Sequence, residues 1–333
     1  AGKLFIKIRE SIDQFVEEND FEVMYTISGG SLALHSSENI EYSKVMKLTD
    51  FSLNEAKKRG RNRCYIFDEK DYSRFIRKGE ITQELREATR NGFQGFVAFY
   101  QPVIEAKSGR LSGAESLMRF SSSKFGMVSP VEFIPILEET GLIIPVGRWM
   151  MKEAMEKCSQ IRKVIPGFKV NINISQVQVS KSDVIIDIAD EMEKAGLSPE
   201  AMNIELTESD LLEGDINTQH FLKELKRMGI KLALDDFGTG YSNFHYLSEL
   251  DPEIIKIDRS FTSSAVADEK EYYLLKQFCR MIHNLGLKIC IEGVENQEEW
   301  AKIQKLEPDF GQGFFWGRPC GYDEFVRQFI EKK

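Results

Sequence analysis

The stretch Leu234-Asp235-Asp236-Phe237-Gly238-Thr239-Gly240-Tyr241-Ser242 places two adjacent carboxylates after an apolar run and before a loop punctuated by glycine. The apolar run, residues 230–234, is short and is typical of a buried parallel strand. Side chains alternate along a strand, so Asp235 and Asp236 cannot both continue into one packed face. Two unpaired carboxylates this close repel each other unless a cation lies between them. The stretch indicates a cation-binding strand end, although taken alone an Asp cap before a Gly turn is the simpler interpretation.

Length and composition limit the possible folds and partners. A chain of 333 residues fits one α/β barrel of about 250 residues plus a smaller module. The net charge of -9 argues against binding to long nucleic acid, so an anionic small ligand would need a bridging cation. No apolar run approaches the roughly 18 residues of a membrane helix, and we expect no membrane contact by this chain.

The cysteine pattern bears on the compartment. The five cysteines are odd in number and none forms a C-x-x-C pair, which indicates neither a disulfide framework nor a zinc ribbon. We therefore expect a reducing, cytoplasmic location, either for the protein alone or as the cytoplasmic part of a larger membrane-anchored or sensor-linked protein.

Periodicity predicts a small N-terminal α/β module over residues 1–78, a linker helix over residues 79–92 and a larger domain over residues 93–333. Within the first module, helices are predicted at Leu4–Phe15 and Ser43–Lys58. Strand-like segments are predicted at Phe21–Leu34 and Arg63–Phe67, the former around Ser28-Gly29-Gly30.

The larger domain alternates apolar strand-like runs with amphipathic helical stretches. This alternation, repeated at intervals of roughly 30 residues, predicts an α/β fold, a (β/α)8 TIM-like barrel. The first two strands are joined by the turn Lys107-Ser108-Gly109, which predicts a hairpin and hence one antiparallel strand. The eight predicted strands are Val97–Val103, Ser112–Met118, Lys169–Ile174, Met202–Leu206, Lys231–Asp235, Ile254–Ile257, Leu287–Ile291 and Phe310–Phe314.

Polar residues stand where the apolar runs of this domain stop. In an α/β barrel these strand ends converge at one rim. Carboxylate and amide oxygens without His or Cys favour a hard divalent ion, magnesium or manganese, over zinc. Two such ions about 4 Å apart would suit in-line attack on a phosphodiester. The set is Glu115, Asn173, Glu205, Asp235, Asp236, Lys256, Asp258, Glu292 and Gln312.

The motifs around these strand ends resemble those of an EAL domain, in family order and over about 240 residues. They are Gln101-Pro102, Glu115-Ser116-Leu117-Met118-Arg119, Pro130-Val131-Glu132-Phe133-Ile134, Asn173-Ile174-Ser175, Glu205-Leu206-Thr207-Glu208, Asp235-Asp236-Phe237-Gly238-Thr239-Gly240, Lys256-Ile257-Asp258, Glu292-Gly293-Val294-Glu295 and Gln312-Gly313. The sequence departs from the family pattern at Ser116 and Ile291, where the family has Ala, and neither change removes a metal ligand.

The resemblance implies hydrolysis of cyclic di-GMP to linear pGpG with two magnesium or manganese ions. It implies metal ligation by Glu115, Asn173, Glu205, Asp235, Asp236 and Glu292. Catalytic roles are implied for Lys256, Glu292 and Gln312, with Lys256 orienting or deprotonating the attacking water through a lowered pKa. Substrate contacts are implied for Gln101, Leu117, Arg119, Asp258 and Pro319, and anchoring of the loop after Asp236 for Glu208 and Glu295. A homodimer through the barrel is also expected by resemblance.

The N-terminal module resembles the C-terminal half of a GGDEF domain over about 60 residues, on Tyr25-Thr26-Ile27-Ser28-Gly29-Gly30 and on residues 53–63. The signature turn of that family is missing, so the module is interpreted as partial and degenerate, without cyclase activity. For the barrel, two alternatives to the phosphodiesterase remain open: a non-catalytic cyclic di-GMP receptor, and a two-metal hydrolase of another phosphoester.

Overall fold

The structure is a computed structural model that describes residues 2–34, 41–208, 216–238 and 251–331. In these ranges helices α1–α12 span Gly2–Glu18, Tyr42–Lys58, Glu69–Arg90, Pro130–Thr140, Ile143–Arg162, Gln176–Lys181, Val184–Ala195, Ile216–Met228, Arg259–Ala267, Glu269–Asn284, Gln297–Ile303 and Tyr322–Phe329. Strands β1–β12 span Gly29–Ser31, Cys64–Ile66, Phe96–Glu105, Leu111–Ser122, Gly126–Val128, Lys169–Asn173, Met202–Thr207, Lys231–Phe237, Ile254–Ile257, Lys288–Ile291, Phe310–Gln312 and Cys320–Gly321. No helix in these ranges combines the length and the apolar character that crossing a bilayer requires.

The chain divides into two compact units, residues 1–81 and 82–333. In the first unit β1 and β2 form a parallel pair, and α2 packs against them. Gly30 permits this packing, because a Cβ there would lie 2.3 Å from the main-chain nitrogen of Leu53. The prediction of a long strand-like segment over Phe21–Leu34 was wrong in extent: only three residues pair, because β2 offers only three partners. The predicted linker helix is the second half of the longer α3.

The second unit contains a closed eight-stranded barrel. Its strand order is β3-β11-β10-β9-β8-β7-β6-β4, and pairing of β4 with β3 closes the ring. Strand β3 runs antiparallel to both neighbours, whereas the other barrel pairs are parallel. The predicted (β/α)8 TIM-like barrel with one antiparallel strand is therefore confirmed.

Each of the eight predicted strands coincides with a barrel strand to within a few residues. The predicted hairpin is β3–β4, with Gly109 in the left-handed region at φ 67. Two short strands were not predicted: β5 adds to the outer end of β4, and β12 adds to β3, both antiparallel. Helix α7 begins after Asp183, whose side chain makes no capping hydrogen bond.

An apolar cluster lies in the barrel interior beneath part of the rim. It consists of Val103, Ala233, Ile254, Cys290 and Phe310, which we call the inner apolar layer. Each of these residues stands two positions along its strand from a polar residue of the rim, so both point to the same side of the strand. The layer therefore separates this part of the rim from the opposite end of the barrel.

Candidate active site

The polar residues at the strand ends meet around the ammonium group of Lys256. Lys256 is 1% exposed and stands on β9, whose parallel neighbours β8 and β10 bring their own carboxylates to the same rim. Its Nζ lies 3.2 Å from Glu115 Oε2, 2.9 Å from Glu205 Oε2, 3.2 Å from Asp235 Oδ1 and 2.8 Å from Glu292 Oε1. One ammonium cannot neutralise four carboxylates, so this cluster favours additional cations.

Glu115 is held by further hydrogen bonds from amide side chains. Asn173 Nδ2 donates to Glu115 Oε1 at 2.8 Å, and Gln312 Nε2 donates to Glu115 Oε2 at 2.6 Å. The same Gln312 nitrogen donates to Gln101 Oε1 at 3.1 Å. Gln101 faces Glu115 across the β3–β4 hairpin, which explains how a residue from the antiparallel strand reaches the rim.

The protonation states of the cluster follow from burial and mutual repulsion. Burial raises the pKa of Glu292 to about 8, with Asp235 and Glu115 adding to the rise. Burial and the Glu115 charge raise the pKa of Glu205 well above its ordinary range. Burial also acts to raise the pKa of Glu115, but Lys256, Gln312 and Asn173 hold it below its ordinary value. The buried acids around Lys256 are therefore not equivalent.

The protein groups around Lys256 act on its pKa in opposite directions. Burial acts to lower the pKa of Lys256, but the surrounding carboxylates raise it well above its usual value. Asp235 and Glu115 contribute most to this rise. The surrounding carboxylates therefore favour the charged form of Lys256, which donates hydrogen bonds to Glu115 and Glu205.

Asp235 and Asp236 both reach the rim because β8 is irregular there. The β8–β9 register shifts between Leu234 and Phe237, and Asp236 adopts φ 52 in the left-handed region. A regular strand would turn the second carboxylate to the opposite side. Burial and the neighbouring Asp235 raise the pKa of Asp236 to about 6. The irregularity thus allows the carboxylates of both Asp235 and Asp236 to face the rim.

The oxygen donors fit two hard cations that share a ligand. Glu115, Glu205 and Asp235 can each present one oxygen, and these oxygens lie within 4.8 Å of one another; the same holds for Asp235, Asp236 and Glu292. Asp235 belongs to both groups. In the described ranges the buried Gln312 Oε1 has no hydrogen-bond partner, so a further oxygen is available. This donor set suits magnesium or manganese.

A cavity of about 200 Å³ opens beside the cluster. Only some of the residues predicted to contact substrate line it. Gln101 and Leu117 line it, whereas Arg119, Asp258 and Pro319 do not. Arg119 donates to its neighbouring carbonyl of Met118 and lies over the Phe99 ring. Asp258 caps helix α9 by accepting from Ser260 N–H at 2.8 Å. Pro319 is half-buried.

Two of the cavity-lining residues were not predicted. Arg259 and Phe314 line the cavity together with Glu295, and Arg259 pairs with Glu295 at 2.5 Å. Arg259 directly follows the Lys256-Ile257-Asp258 motif, so its position next to a predicted strand end was the available signal. Its guanidinium suits a phosphate oxygen.

The two predicted loop anchors have different partners. Glu208 Oε2 accepts a hydrogen bond of 2.8 Å from the main-chain N–H of Gly238, two residues after Asp236. Glu295 pairs with Arg259, as above. The remaining residues of the predicted loop, Thr239 to Ser242, lie outside the described residues.

Comparison with known proteins places this site in a family. The family described as "EAL domain" matches residues 82–319. The chain belongs to the EAL domain family. That match does not include the N-terminal unit, so the resemblance of residues 1–78 to a GGDEF domain stays a prediction.

Relatives of this EAL chain include named phosphodiesterases. The chain is 29% identical over 330 residues to the Pseudomonas aeruginosa protein "Bifunctional diguanylate cyclase/cyclic di-GMP phosphodiesterase MucR", covering 98% of this chain and 47% of that protein. It is 33% identical over 264 residues to the Escherichia coli protein "Probable cyclic di-GMP phosphodiesterase PdeG", covering 78% of this chain and 51% of that protein. The chain therefore spans about half the length of these curated relatives.

A solved EAL structure has the same fold. The structure titled "PaMucR Phosphodiesterase, c-di-GMP complex" matches with a TM-score of 0.69 and 29% identity, covering 74% of this chain and 99% of that one. The likeness agrees with the barrel assignment.

Proposed function

We propose that the EAL barrel of this chain hydrolyses one phosphodiester bond of cyclic di-GMP and releases linear pGpG. The observation that carries the proposal is the cluster at the rim, where Glu115, Glu205, Asp235 and Glu292 surround Lys256 and form two overlapping groups of possible metal ligands. A receptor without catalysis would not require several buried carboxylates in one cluster, because their desolvation costs free energy. The phosphodiesterases among the relatives support the same reaction.

We propose two divalent cations, Mg²⁺ or Mn²⁺, as cofactors. Glu115, Asn173, Glu205 and Asp235 would hold one, and Asp235, Asp236 and Glu292 the other, directly or through water. Divalent cations supply Lewis-acid polarisation of the phosphate and an acidified water when they are bound. The ligand assignment rests on the oxygen-only donor set and on Asp235 standing in both groups.

In the proposed reaction, Lys256, Gln312 and Glu292 would position the attacking water. Water oxygen forms a new bond to phosphorus, the bond from phosphorus to O3′ breaks, and a proton goes to the departing O3′, which leaves the phosphate on the 5′ end of pGpG. Lys256 would donate hydrogen bonds that orient the water, and Gln312 would position the same region. Glu292 would serve both as a ligand and as an acceptor for the proton of the water.

Substrate binding is proposed for the residues that line or adjoin the cavity. Gln101 and Leu117 line it, and Arg119, Asp258 and Pro319 would contact the parts of a dinucleotide that extend beyond it. Arg259 would contact a phosphate of the substrate. Glu208 and Glu295 would hold the loop and the rim in the geometry that binds substrate.

Three broader proposals concern the chain as a whole. Residues 1–78 would be a partial GGDEF-like module that lacks its signature turn, residues 79–92 a linker helix, and residues 93–333 the EAL barrel. The barrel would form a homodimer. The protein would act in bacterial second-messenger signalling in the cytoplasm, where the buried thiols, such as Cys158 and Cys279 with pKa values raised by burial to about 12, would stay reduced.

The deciding experiment is incubation of the purified chain with cyclic di-GMP and Mg²⁺ or Mn²⁺, followed by chromatography of the nucleotides. We expect pGpG to accumulate and chelation by EDTA to stop it. Tight binding of intact cyclic di-GMP without turnover would identify a receptor instead. Hydrolysis of another phosphodiester that cyclic di-GMP fails to inhibit would identify a different hydrolase.

A further inference from the structure

Two buried asparagines form a hydrogen-bonded chain that ends on Glu205. Asn171 Nδ2 donates to Glu205 Oε1 at 2.7 Å, and Asn203 Nδ2 donates to Asn171 Oδ1 at 2.8 Å. Asn171 and Asn203 are 7% and 4% exposed, and Glu205 is fully buried. We call Asn203, Asn171 and Glu205 the interior relay.

Strand register produces the relay. Asn171 lies opposite Asn203, and Asn173 lies opposite Glu205, on the paired strands β6 and β7. Residues two apart on a strand point to the same side, so all four side chains face the barrel interior. Asn171 is thus one layer below the rim and reaches diagonally to Glu205. It is not one of the residues proposed as a metal ligand.

The relay has one workable direction. A Glu205 carboxylate that ligates a cation is ionised and only accepts hydrogen bonds, so Asn171 must then present its nitrogen to Glu205 and its oxygen to Asn203, as it does in the structure. Asn203 must then present its own nitrogen, and among the described residues its Oδ1 has no hydrogen-bond partner. The relay therefore begins at Asn203 and ends at the carboxylate.

We propose that Asn171 and Asn203 are positioning residues that fix the carboxylate of Glu205 as a metal ligand. With Oε1 held by Asn171, Oε2 is directed to the side where Lys256 lies, at 2.9 Å. A ligand carboxylate whose rotation is fixed in this way loses less conformational freedom on binding a cation. The inference rests on the proposed two-metal phosphodiesterase and extends its binding site by one layer into the barrel.

The test is titration of the full chain with Mn²⁺ by calorimetry in the absence of nucleotide. Asn171→Ala should weaken Mn²⁺ affinity by about 10- to 100-fold, as loss of a partner of a metal ligand usually does. Asn203→Ala should weaken it by roughly threefold, the size of one neutral hydrogen bond. Because the two residues act in series, Asn203→Ala should add nothing in the Asn171→Ala background.

A polarity variant tests the direction of the relay. Asn203→Asp offers only acceptors, so it forces Asn171 to turn its oxygen toward Glu205, and it should weaken Mn²⁺ affinity more than Asn203→Ala does. Ser116→Ala is the matched control. Its hydroxyl is also buried and donates to the main-chain oxygen of Asn171 at 2.8 Å, outside the relay, and Mn²⁺ affinity should stay at the wild-type value.

The outcomes separate the relay from the function on which it rests. Wild-type affinity in folded Asn171→Ala, additive effects in the double variant, or equal affinities of Asn203→Asp and Asn203→Ala would overturn the relay while leaving the metal site in place. Absence of Mn²⁺ binding by the wild-type chain would overturn the metal site and the relay together. Circular dichroism confirms folding, and Asn203→Ala, which keeps the Asn171–Glu205 bond, serves if Asn171→Ala does not fold.

Discussion

The main-chain N–H of Gly238 donates a hydrogen bond of 2.8 Å to Glu208 Oε2, two residues after Asp236. Glu208 is buried at 6% exposure, and Gly238 is in the left-handed region at φ 95, where an added Cβ would meet the Phe261 ring. The chain that leaves the paired carboxylate is therefore held at a defined point. A change at Glu208 can alter the position of Asp236 without touching a ligand.

Glu208→Ala should lower kcat by about 10- to 100-fold, the usual effect of losing a partner that orients a ligand, while KM changes little. Glu208→Gln keeps an acceptor oxygen for Gly238 and should recover most of the activity. Steady-state kinetics of cyclic di-GMP hydrolysis measures both. Equal kcat for wild type and Glu208→Ala would refute the role of Glu208 in positioning Asp236.

Loss of a shared or buried ligand should have a larger effect. Glu115→Ala and Asp235→Ala should each lower turnover by more than about 100-fold, beyond the range typical of outer partners. Glu105→Ala is the control, because Glu105 is an exposed carboxylate at the turn end of the β3–β4 hairpin. The activity of this variant should match that of wild type. Retained activity in either of the first two variants would refute the metal assignment.

Removal of the Lys256 ammonium should destabilise the metal-free protein. Lys256→Met leaves four carboxylates without a buried counter-charge, and we expect a loss of about 3–5 kcal/mol in the free energy of unfolding. Mg²⁺ should restore more stability to this variant than to wild type, because it supplies the missing positive charge. Thermal unfolding with and without Mg²⁺ measures this difference.

The control for this prediction is Lys288→Met, which removes an exposed partner of Glu253 and should change the free energy of unfolding by less than about 1 kcal/mol. An equal response of both lysine variants to Mg²⁺ would contradict the assignment of the cation site to the Lys256 cluster.

The raised carboxyl pKa values predict a pH dependence. Glu292 changes from an ordinary value of 4.5 to about 8 on folding, so the folded protein binds more protons than the unfolded chain between these values. The metal-free protein should therefore lose stability as pH rises from about 5 to 8. Cation binding needs the ionised carboxylate, so the Mg²⁺-induced rise in Tm should be larger at pH 8.5 than at pH 6.

Glu292→Gln removes one titrating group and should reduce the slope of the metal-free stability profile across this pH range, while Glu205 and Asp236, whose pKa values are also raised, still contribute. Denaturant unfolding at a series of pH values provides the measurement. Equal slopes for wild type and Glu292→Gln between pH 5 and 8 would contradict the raised pKa of Glu292.

A change at Gly30 should affect the N-terminal unit alone. In Gly30→Ala the new Cβ would lie 2.3 Å from Leu53 N and 2.5 Å from Thr49 O, and main-chain atoms cannot move aside cheaply. We expect this unit to lose about 1–3 kcal/mol, as in other overpacked cores, with barrel turnover unchanged. Gly79→Ala is the control: its Cβ meets nothing within 4 Å, and Ala in a helix should stabilise by about 1 kcal/mol.

Limited proteolysis reports on the N-terminal unit, and the nucleotide assay reports on the barrel. A fall in turnover in Gly30→Ala, with the barrel still folded, would show that the two units are energetically coupled.

The barrel was predictable because six of its strands, β6–β11, are short runs containing apolar residues, with a polar residue at or next to the carboxyl end, and because a turn signal marks the β3–β4 hairpin. Asn173, Glu205, Lys256 and Gln312 were found in this way, and the structure brings them together. Sequence could not show that β8 is irregular after Leu234, because a register shift depends on the neighbouring strand. It overestimated the strand at Phe21–Leu34 for the same reason: pairing requires a partner.

Other features of the site depend on contacts that no single motif reports. The high pKa of Lys256 arises from four carboxylates of different strands, which no local pattern reports. Asn171 was missed although it stands two positions before Asn173, and two-residue alternation was the signal that could have found it. Asp258 follows a strand end, but its carboxylate caps the helix that begins there.

The inner apolar layer limits access to the rim. Together with the buried Asn171 and Asn203 it lies beneath the carboxylates, so in the described part of the barrel the proposed substrate, water and product would share the opening at the rim. In the proposed reaction, pGpG that stays bound there would block binding of the next cyclic dinucleotide. We therefore expect pGpG to inhibit the hydrolysis of cyclic di-GMP competitively.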